Sequence, residues 1–271
     1  MSLFELEAVG GPWGRRLQRR RAGLSRLCWT ELGDPDPAAR EAARVVWTRS
    51  TFSEYASAAA FAEIASALLA VAAPIDLVAA AGDFVVDEMI HAEASARLAM
   101  ALGGAVPLEV DLERLVRPAS AENALLRAAE LLVRTSCVGE ALTVRILERA
   151  RSLATAAPTI HAVLTRILKD ESQHAQLGPW FLDWAAERLA ATDRAHLGRI
   201  AGQALVAFVP LFADECAPGS GLGTLGCSDF DATFAGAVIH HVARPLAARG
   251  IEIPPEDLAA IQQASRRLPA G

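Results

Sequence analysis

Two short segments of this chain indicate its fold: Asp87-Glu88-Met89-Ile90-His91 and Asp170-Glu171-Ser172-Gln173-His174. Both follow the pattern D-E-x-x-H, and because residues three apart lie on one face of an α-helix, each Glu and His can reach the same point. A single E-x-x-H is expected by chance about 0.4 times in a chain of this composition, whereas two copies that each follow an Asp are roughly a one-in-several-thousand coincidence. The repeat therefore predicts two helices that each present a carboxylate and an imidazole on one face.

The sequence on either side of these segments predicts an all-α protein. The chain has 271 residues, of which 52% are apolar, with alanine the main contributor. No window alternates with the period of two that a half-buried strand requires. Capping residues, glycine and proline divide the chain into helices, with Ser120 as the predicted cap of the third and Pro179 expected to kink or end the fourth. The predicted helices cover 34–71, 76–103, 120–154 and 159–190, with others near 193–215, 229–249 and 255–267.

The long connection 103–119 bears on the topology. It can stretch to about 56 Å, whereas a helix of 25 residues is about 38 Å long, so it can cross the full length of a bundle. This favours two antiparallel hairpins joined by one crossover, with a simple up-down connection as the open alternative. The predicted organisation is an N-terminal extension (1–33), a four-helix bundle (34–190) and C-terminal helices that pack on it (191–271), together one domain.

A metal site between two such hairpins needs one further Glu from each remaining helix, at the same height. Glu63 and Glu88 are equally far from the turn near residue 75, and Glu140 and Glu171 are equally far from the turn near residue 155. Both pairs are therefore expected to meet at matching levels. The complete set of predicted ligands is Glu63, Glu88, His91, Glu140, Glu171 and His174.

Two other glutamates compete for these places. Glu54 lies nine residues before Glu63, about 180° around the helix, and Glu148 is two turns from Glu140. Glu63 is preferred because it interrupts the apolar, Ala-rich stretch 55–75, which has the length of a membrane span but the wrong composition and a central carboxylate. An unpaired charge in such a place costs several kcal/mol, and two divalent metal ions would neutralise four carboxylates.

With these residues the chain resembles the ferritin-like di-iron carboxylate proteins, which include bacterioferritins, ribonucleotide reductase small subunits and bacterial multicomponent monooxygenases. The resemblance covers roughly residues 50–190 and rests on the six predicted ligands and the two preceding aspartates. It implies a ferritin-like four-helix bundle in which the glutamates of the two D-E-x-x-H segments bridge two ions. The other two glutamates and the two histidines would each bind one ion.

The resemblance also implies that Asp87 and Asp170 accept a hydrogen bond from the histidine of the opposite hairpin. Thr143, one turn beyond Glu140, is a candidate for steering protons, although a helical threonine more often bonds its own backbone. No catalytic residue is predicted beyond the metal ligands.

The function implied is that of an O2-activating oxidase or oxygenase acting on a small organic substrate, with an external electron donor. Carboxylate and imidazole ligands suit iron, manganese or zinc; iron is favoured, with manganese or a mixed Mn/Fe pair as alternatives. Other readings are a ferroxidase for iron storage or detoxification, a manganese catalase, and a helical interaction protein with a vestigial site. Small residues near the ligands would line a substrate pocket or, equally, allow close helix packing: Ala59, Ala60, Ser66, Ser136 and Gly139.

Charge and cysteine content limit the partners and the location. A net charge of −6 and a pI near 5.6 oppose a nucleic-acid binder. The four cysteines show no CxxC spacing and the N-terminus has no signal-peptide pattern, so reduced thiols in a cytoplasmic protein are expected. The arginines of 15–21 are interpreted as a solvated helix face. Because the chain is longer than a bare bundle, we expect a monomer or homodimer rather than a 24-subunit cage.

Overall fold

The computed structural model describes residues 1–21, 23–213 and 221–265, and these form an all-α structure with one two-residue strand pair. The all-α prediction is confirmed. The helices are α1 (Gly11–Arg20), α2 (Pro37–Ala70), α3 (Ile75–Ala101), α4 (Ala124–Leu132), α5 (Ala141–Leu153), α6 (Pro158–Trp184), α7 (Ala191–Ala213), α8 (Cys227–Ala237), α9 (Arg244–Ala247) and α10 (Pro255–Ser265). Two π-helical segments, Val133–Glu140 and Val238–Ala243, join α4 to α5 and α8 to α9.

The first hairpin consists of α2 and α3, which share the most extensive helix contact in the described structure. The Asp36 side chain caps α2 by accepting hydrogen bonds from the N–H groups of Ala38 and Ala39 at 2.9 and 3.4 Å. Only four residues separate the two helices, so they run antiparallel.

The second hairpin consists of one continuous helical run, from α4 through the first π segment to α5, followed by α6. Asn123 caps α4, because its side chain accepts hydrogen bonds from the N–H groups of Leu125 and Leu126. The prediction that Ser120 is this cap is therefore wrong. Ser120 instead donates its backbone N–H and its hydroxyl to the Glu130 carboxylate, at 2.6 and 2.9 Å.

The N-terminal segment packs on the first hairpin. Strand β1 (Ser2–Leu3) pairs antiparallel with β2 (Glu109–Val110) in the connection between the hairpins, and the Phe4 ring contacts the rings of Phe52 and Tyr55 on α2. Sequence patterning did not predict this pair, because two residues are too few to show a strand period.

Two arginines at the end of α1 fix this helix to α3. Arg20 forms an ion pair with Asp83 at 2.6 Å, and Arg21 forms one with Glu93 at 2.5 Å. Arg15, Arg16 and Arg19 are exposed. The arginine cluster is thus divided between anchoring residues and a solvated face.

The C-terminal helices lie against the second hairpin: α7 contacts α4 and the first π segment, and α8 contacts α5. Cys28 and Cys137 are free thiols, but Cys227 is disulfide-bonded, so the expectation of reduced thiols is wrong at Cys227. Cys216 and the ends of the predicted helices 193–215 and 255–267 lie outside the described residues. Of the helices in the described part of the chain, none combines the length and the apolar character needed to cross a membrane.

Candidate metal centre

Side chains from both hairpins converge on two groups of potential metal ligands. In each group the donor atoms lie within 4.8 Å of one another. We call their union the carboxylate–histidine cluster. The first group is Glu54, Glu88, His91 and Glu171, and the second is Glu88, Glu140, Glu171 and His174. Glu88 and Glu171 belong to both groups, so they lie between the two positions.

The Nδ1 atoms of the two histidines point at the carboxylates of the cluster. His91 Nδ1 is 3.0 Å from Glu171, 3.6 Å from Glu88 and 3.7 Å from Glu54. His174 Nδ1 is 2.9 Å from Glu88 and 3.0 Å from Glu171. Each imidazole therefore offers the same ring nitrogen to the space that its group surrounds.

The other ring nitrogen of each histidine faces an aspartate of the opposite hairpin. His91 Nε2 is 3.3 Å from Asp170, which also accepts a hydrogen bond from Arg166 at 2.7 Å, and His174 Nε2 is 3.8 Å from Asp87. The structure thus places both aspartates where the sequence analysis expected them. Their role toward a bound metal stays a prediction.

Burial leaves the cluster with unsatisfied polar atoms. Glu88 and both histidines are completely buried, and Glu171 and Glu140 are 1% and 5% exposed. Neither oxygen of Glu88 accepts a hydrogen bond, although His174 Nδ1 lies 2.9 Å from one of them, and His91 Nδ1 also has no hydrogen-bond partner. A buried carboxylate without partners is costly. A cation bound to these oxygens would remove that cost, and mixed carboxylate and imidazole donors fit iron, manganese or zinc.

The carboxylates of the cluster have divergent pKa values. Burial, together with repulsion from Glu88 and Glu171, raises the pKa of Glu54 and of Glu140 well above the ordinary range. Burial acts in the same direction on Glu171, but hydrogen bonds and charge from His174 and His91 outweigh it and hold its pKa far below the ordinary range. One shared carboxylate is therefore ionised in the metal-free state, and the outer two resist ionisation.

The histidines carry the compensating positive charge when no metal is bound. Burial alone would lower the pKa of His174, but the neighbouring carboxylates of Asp87, Glu171 and Glu88 raise it to about 12. The pKa of His91 is also raised well above its usual value, because the carboxylates of Asp170 and of the cluster outweigh burial. Since only a neutral imidazole binds a metal, metal uptake must displace these protons.

The expected ligand Glu63 does not join the cluster, and the structure corrects this assignment to Glu54. Glu63 is exposed, on the opposite side of α2. The buried stripe of α2 passes through Thr51, Ala58 and Phe61, and Glu54 lies three residues after the first and four before the second. The turn between α2 and α3 comprises residues 71–74 and so lies before residue 75, which makes the expected height of Glu63 wrong, and the buried Phe61 could have revealed which side of α2 faces the core.

The first π segment places Glu140, the last residue of that segment. Sequence reasoning found Glu140 but missed the π geometry, because no residue pattern distinguishes it from an ordinary helix. π segments are rare and frequently occur at functional sites. Thr143, in the following helix α5, is half-buried, and its proposed role in proton steering stays a prediction. Glu148, the other competing glutamate, pairs with Arg145 at 2.8 Å, away from the cluster.

The small residues near the cluster contribute to close helix packing. Ser66 is exposed, whereas Ser136 is buried at the contact between the first π segment and α6. Gly178, which the sequence analysis did not single out, has no room for a side chain: a Cβ there would lie 2.5 Å from Cys137 Sγ and 3.1 Å from the Leu132 carbonyl oxygen. Ala59, Ala60 and Gly139 are half-buried.

Two cavities of the described structure lie away from the cluster. One, of about 240 Å³, is lined mainly by apolar residues of α8, the second π segment, α9 and α10, and the other is an open depression between α5 and the second π segment. Neither is lined by a member of the cluster. The predicted substrate pocket against the metals has no counterpart in these two cavities.

Another buried carboxylate, outside the cluster and not predicted from the sequence, lies on α4. Glu130 is completely buried and is 2.6 Å from His196 Nε2 of α7. Burial opposes its ionisation, but its hydrogen bonds to Ser120 and His196 prevail and lower the pKa of Glu130. This contact fastens the connection and α7 to α4, so Glu130 has its partners within the protein and needs no metal.

Comparison with known proteins gives no match to a protein-family model and none to a curated protein sequence. The chain is a helical protein with a buried cluster of glutamates and histidines that could hold a metal ion.

Proposed function

We propose that the carboxylate–histidine cluster binds two transition-metal ions, most favourably iron, and that the protein is an oxidase or oxygenase that activates O2 for a small organic substrate. The observation that carries the proposal is the shared pair Glu88 and Glu171 between two ligand groups, with both Glu88 oxygens buried and unbonded. Two ferrous ions held in this way supply the electrons that reduce O2. A cytoplasmic location, an external electron donor and a monomeric or dimeric state belong to the same proposal.

The helix contacts support a ferritin-like bundle as the frame for this site. Besides the two hairpins, α2 contacts α4 and α3 contacts α6, so each hairpin touches the other through two helix pairs. The connection between α3 and α4 is long enough to return along the bundle. This arrangement accounts for the convergence of Glu54 from α2, Glu88 from α3, Glu140 from the π segment and Glu171 from α6.

Each residue of the cluster would bind one or both of the proposed ions. Glu54 and His91 would bind one ion, Glu140 and His174 the other, and the two shared glutamates both. Asp170 and Asp87 would hold the Nε2–H of the two histidines and so keep Nδ1 free for the metal. Phe61 and Phe84 flank the His174 ring at 5.1 and 4.2 Å between centroids, which excludes water from that side.

A ferroxidase is the second candidate, and one observation favours it. The two cavities described above do not adjoin the cluster, and an organic substrate needs space that Fe(II) does not. Glu54, with 16% of its side chain exposed, is the most accessible member and marks the side from which an ion could enter.

Metal analysis tests the shared basis of both candidates. After anaerobic reconstitution with Fe(II), the protein should hold about two iron ions per chain. Glu88→Gln should lose them, and Glu63→Gln, an exposed glutamate of α2, should retain them. Less than about one ion per wild-type chain would end the dimetal proposal.

Oxygen consumption and size separate the two candidates. An oxygenase should consume O2 faster when its organic substrate is present and should elute as a monomer or dimer. Steady Fe(II) turnover that no organic compound alters, in a 24-subunit particle, would replace the oxygenase proposal with a storage ferroxidase.

A further inference from the structure

The Ser136 side chain connects the two helices that carry Glu140 and His174. Its hydroxyl donates a hydrogen bond to the His174 carbonyl oxygen at 2.6 Å and accepts one from the Gly178 N–H at 2.8 Å. In an uninterrupted α-helix these two backbone groups would bond each other, since the N–H of each residue bonds the carbonyl four residues earlier. The Ser136 hydroxyl is therefore hydrogen-bonded to both backbone groups of this turn of α6.

Two residues next to this turn, Pro179 and Gly178, favour the insertion of the Ser136 hydroxyl into α6. Pro179 has no N–H, so the carbonyl of Ala175 lacks its helical donor. Gly178 has no side chain, and this absence lets Ser136 and Cys137 approach the backbone closely. A side chain inserted between helical hydrogen-bonding groups is a recognised cause of a local bend. These features place the Ser136 hydroxyl at the turn of α6 that begins with His174.

We propose that Ser136 is a positioning residue for His174. By holding the His174–Gly178 turn open, the hydroxyl fixes the backbone from which the imidazole projects, and so directs Nδ1 toward Glu88 and Glu171. Ser136 lies four residues before Glu140 in the same π segment, so one segment supplies a ligand and aligns another. His91, on the regular helix α3, has no such contact among the hydrogen bonds described here.

The role of Ser136 in the metal-free protein can be tested without assuming metal binding. Imidazole ¹H–¹⁵N spectra of histidine-labelled protein should show that Ser136→Ala shifts the His174 resonances and leaves those of His91 in place. Ser172→Ala is the matched control, because its exposed hydroxyl also donates to a carbonyl of α6, that of Leu168 at 2.7 Å. Unchanged His174 resonances in Ser136→Ala would overturn the proposal, whatever the metal content.

The consequence for metal binding rests on the proposed function. In Co(II) titrations, Ser136→Ala should lower the affinity for one of the two ions by about tenfold to a hundredfold and leave the affinity for the other unchanged, whereas Ser172→Ala should match wild type. A general loss of stability would instead lower both affinities equally, and that result would contradict a positioning role. Ser136→Cys, whose thiol is larger and a weaker donor, should fall between wild type and Ser136→Ala and serves if the alanine variant does not fold.

Discussion

The two hairpins carry the same D-E-x-x-H pattern on different backbones. In the first, α2 and α3 are regular helices, and a Cβ added at Gly82 of α3 would meet nothing within 4 Å. In the second, a π segment faces a helix that contains Pro179, Ser136 is inserted into that helix, and Gly178 is in tight contact. Identical ligand spacing therefore does not require identical helix geometry. The irregular features are concentrated beside Glu140 and His174, two of the proposed ligands.

Accessibility follows the same division. Glu54 of the first hairpin keeps 16% of its side chain exposed, whereas Glu140 of the second is 5% exposed and the His174 ring is enclosed by Phe61 and Phe84. The regular hairpin thus provides the open side of the cluster and the irregular hairpin the closed side. The comparison predicts two unequal metal positions that share two ligands.

The largest effect should come from the shared ligands. Glu171→Ala removes a carboxylate common to both groups and should abolish binding of both ions, because each position loses a ligand that holds the pair together. Metal content after anaerobic reconstitution measures this, and the free energy of unfolding of the metal-free variant checks that the fold survives. Retention of one tightly bound ion would show that Glu171 is not shared.

The next effect separates the two positions. Glu54→Ala and Glu140→Ala should each lose one ion and keep the other, and the ion kept in Glu54→Ala should exchange more slowly with a chelator, because it lies on the closed side. Glu63→Ala is the matched control on α2 and should bind like wild type. Normal binding by Glu54→Ala together with loss in Glu63→Ala would restore the original sequence-based assignment.

Most residues of the cluster could be predicted from the sequence. The repeat located Glu88, His91, Glu171 and His174, because a helical motif fixes its own geometry. Glu140 was found from its height along the helix. The same reasoning failed at Glu54, because many alanines on α2 hide which face is buried, and the phase is defined by the few large residues, such as Trp47 and Phe61.

The insertion of Ser136 was beyond sequence reasoning for a different reason. A serine in a helix normally bonds its own preceding turn or solvent, and nothing in the sequence near Ser136 indicates a partner on another helix. Pro179 predicted a kink or an end of the fourth helix, but α6 does not end there and continues to Trp184. The contact of the Ser136 hydroxyl with α6 depends on how the π segment packs against this helix, which no local sequence pattern encodes.

The pH dependence of stability should distinguish metal-free from metal-bound protein. The pKa of His174 is about 12 in the fold against 6.5 ordinarily, so its contribution is complete below about pH 6.5 and is lost as the pH rises toward 12. The raised pKa values of Glu54 and Glu140 also lower the stability of the fold as the pH rises above about 4.5. The lowered pKa of Glu171 changes the stability only below about pH 4.5. Calorimetry should show the metal-free Tm falling by roughly 5 °C or more between about pH 6.5 and 9, with a smaller change when metal is bound. A metal-free Tm that rises over this range would contradict the assignment.

The smallest effects come from a matched pair of glycines, one in each hairpin. Gly178→Ala should destabilise the fold by about 2 kcal/mol, because its Cβ would collide with Cys137 Sγ and the carbonyl oxygen of Leu132. Gly82→Ala faces open space in a helix and should stabilise the fold by about 0.5–1 kcal/mol. Chemical denaturation measures both values. Equal effects of the two substitutions would remove the distinction between a regular and a tightly packed hairpin.

The most direct test of the central claim is anomalous X-ray diffraction from crystals loaded with Fe(II) or Mn(II) under anaerobic conditions. We expect two anomalous peaks per chain with Glu88 and Glu171 between them, one peak next to Glu54 and His91 and the other next to Glu140 and His174. Loaded crystals with no peak inside the cluster, or with a metal bound at Glu63, would contradict it.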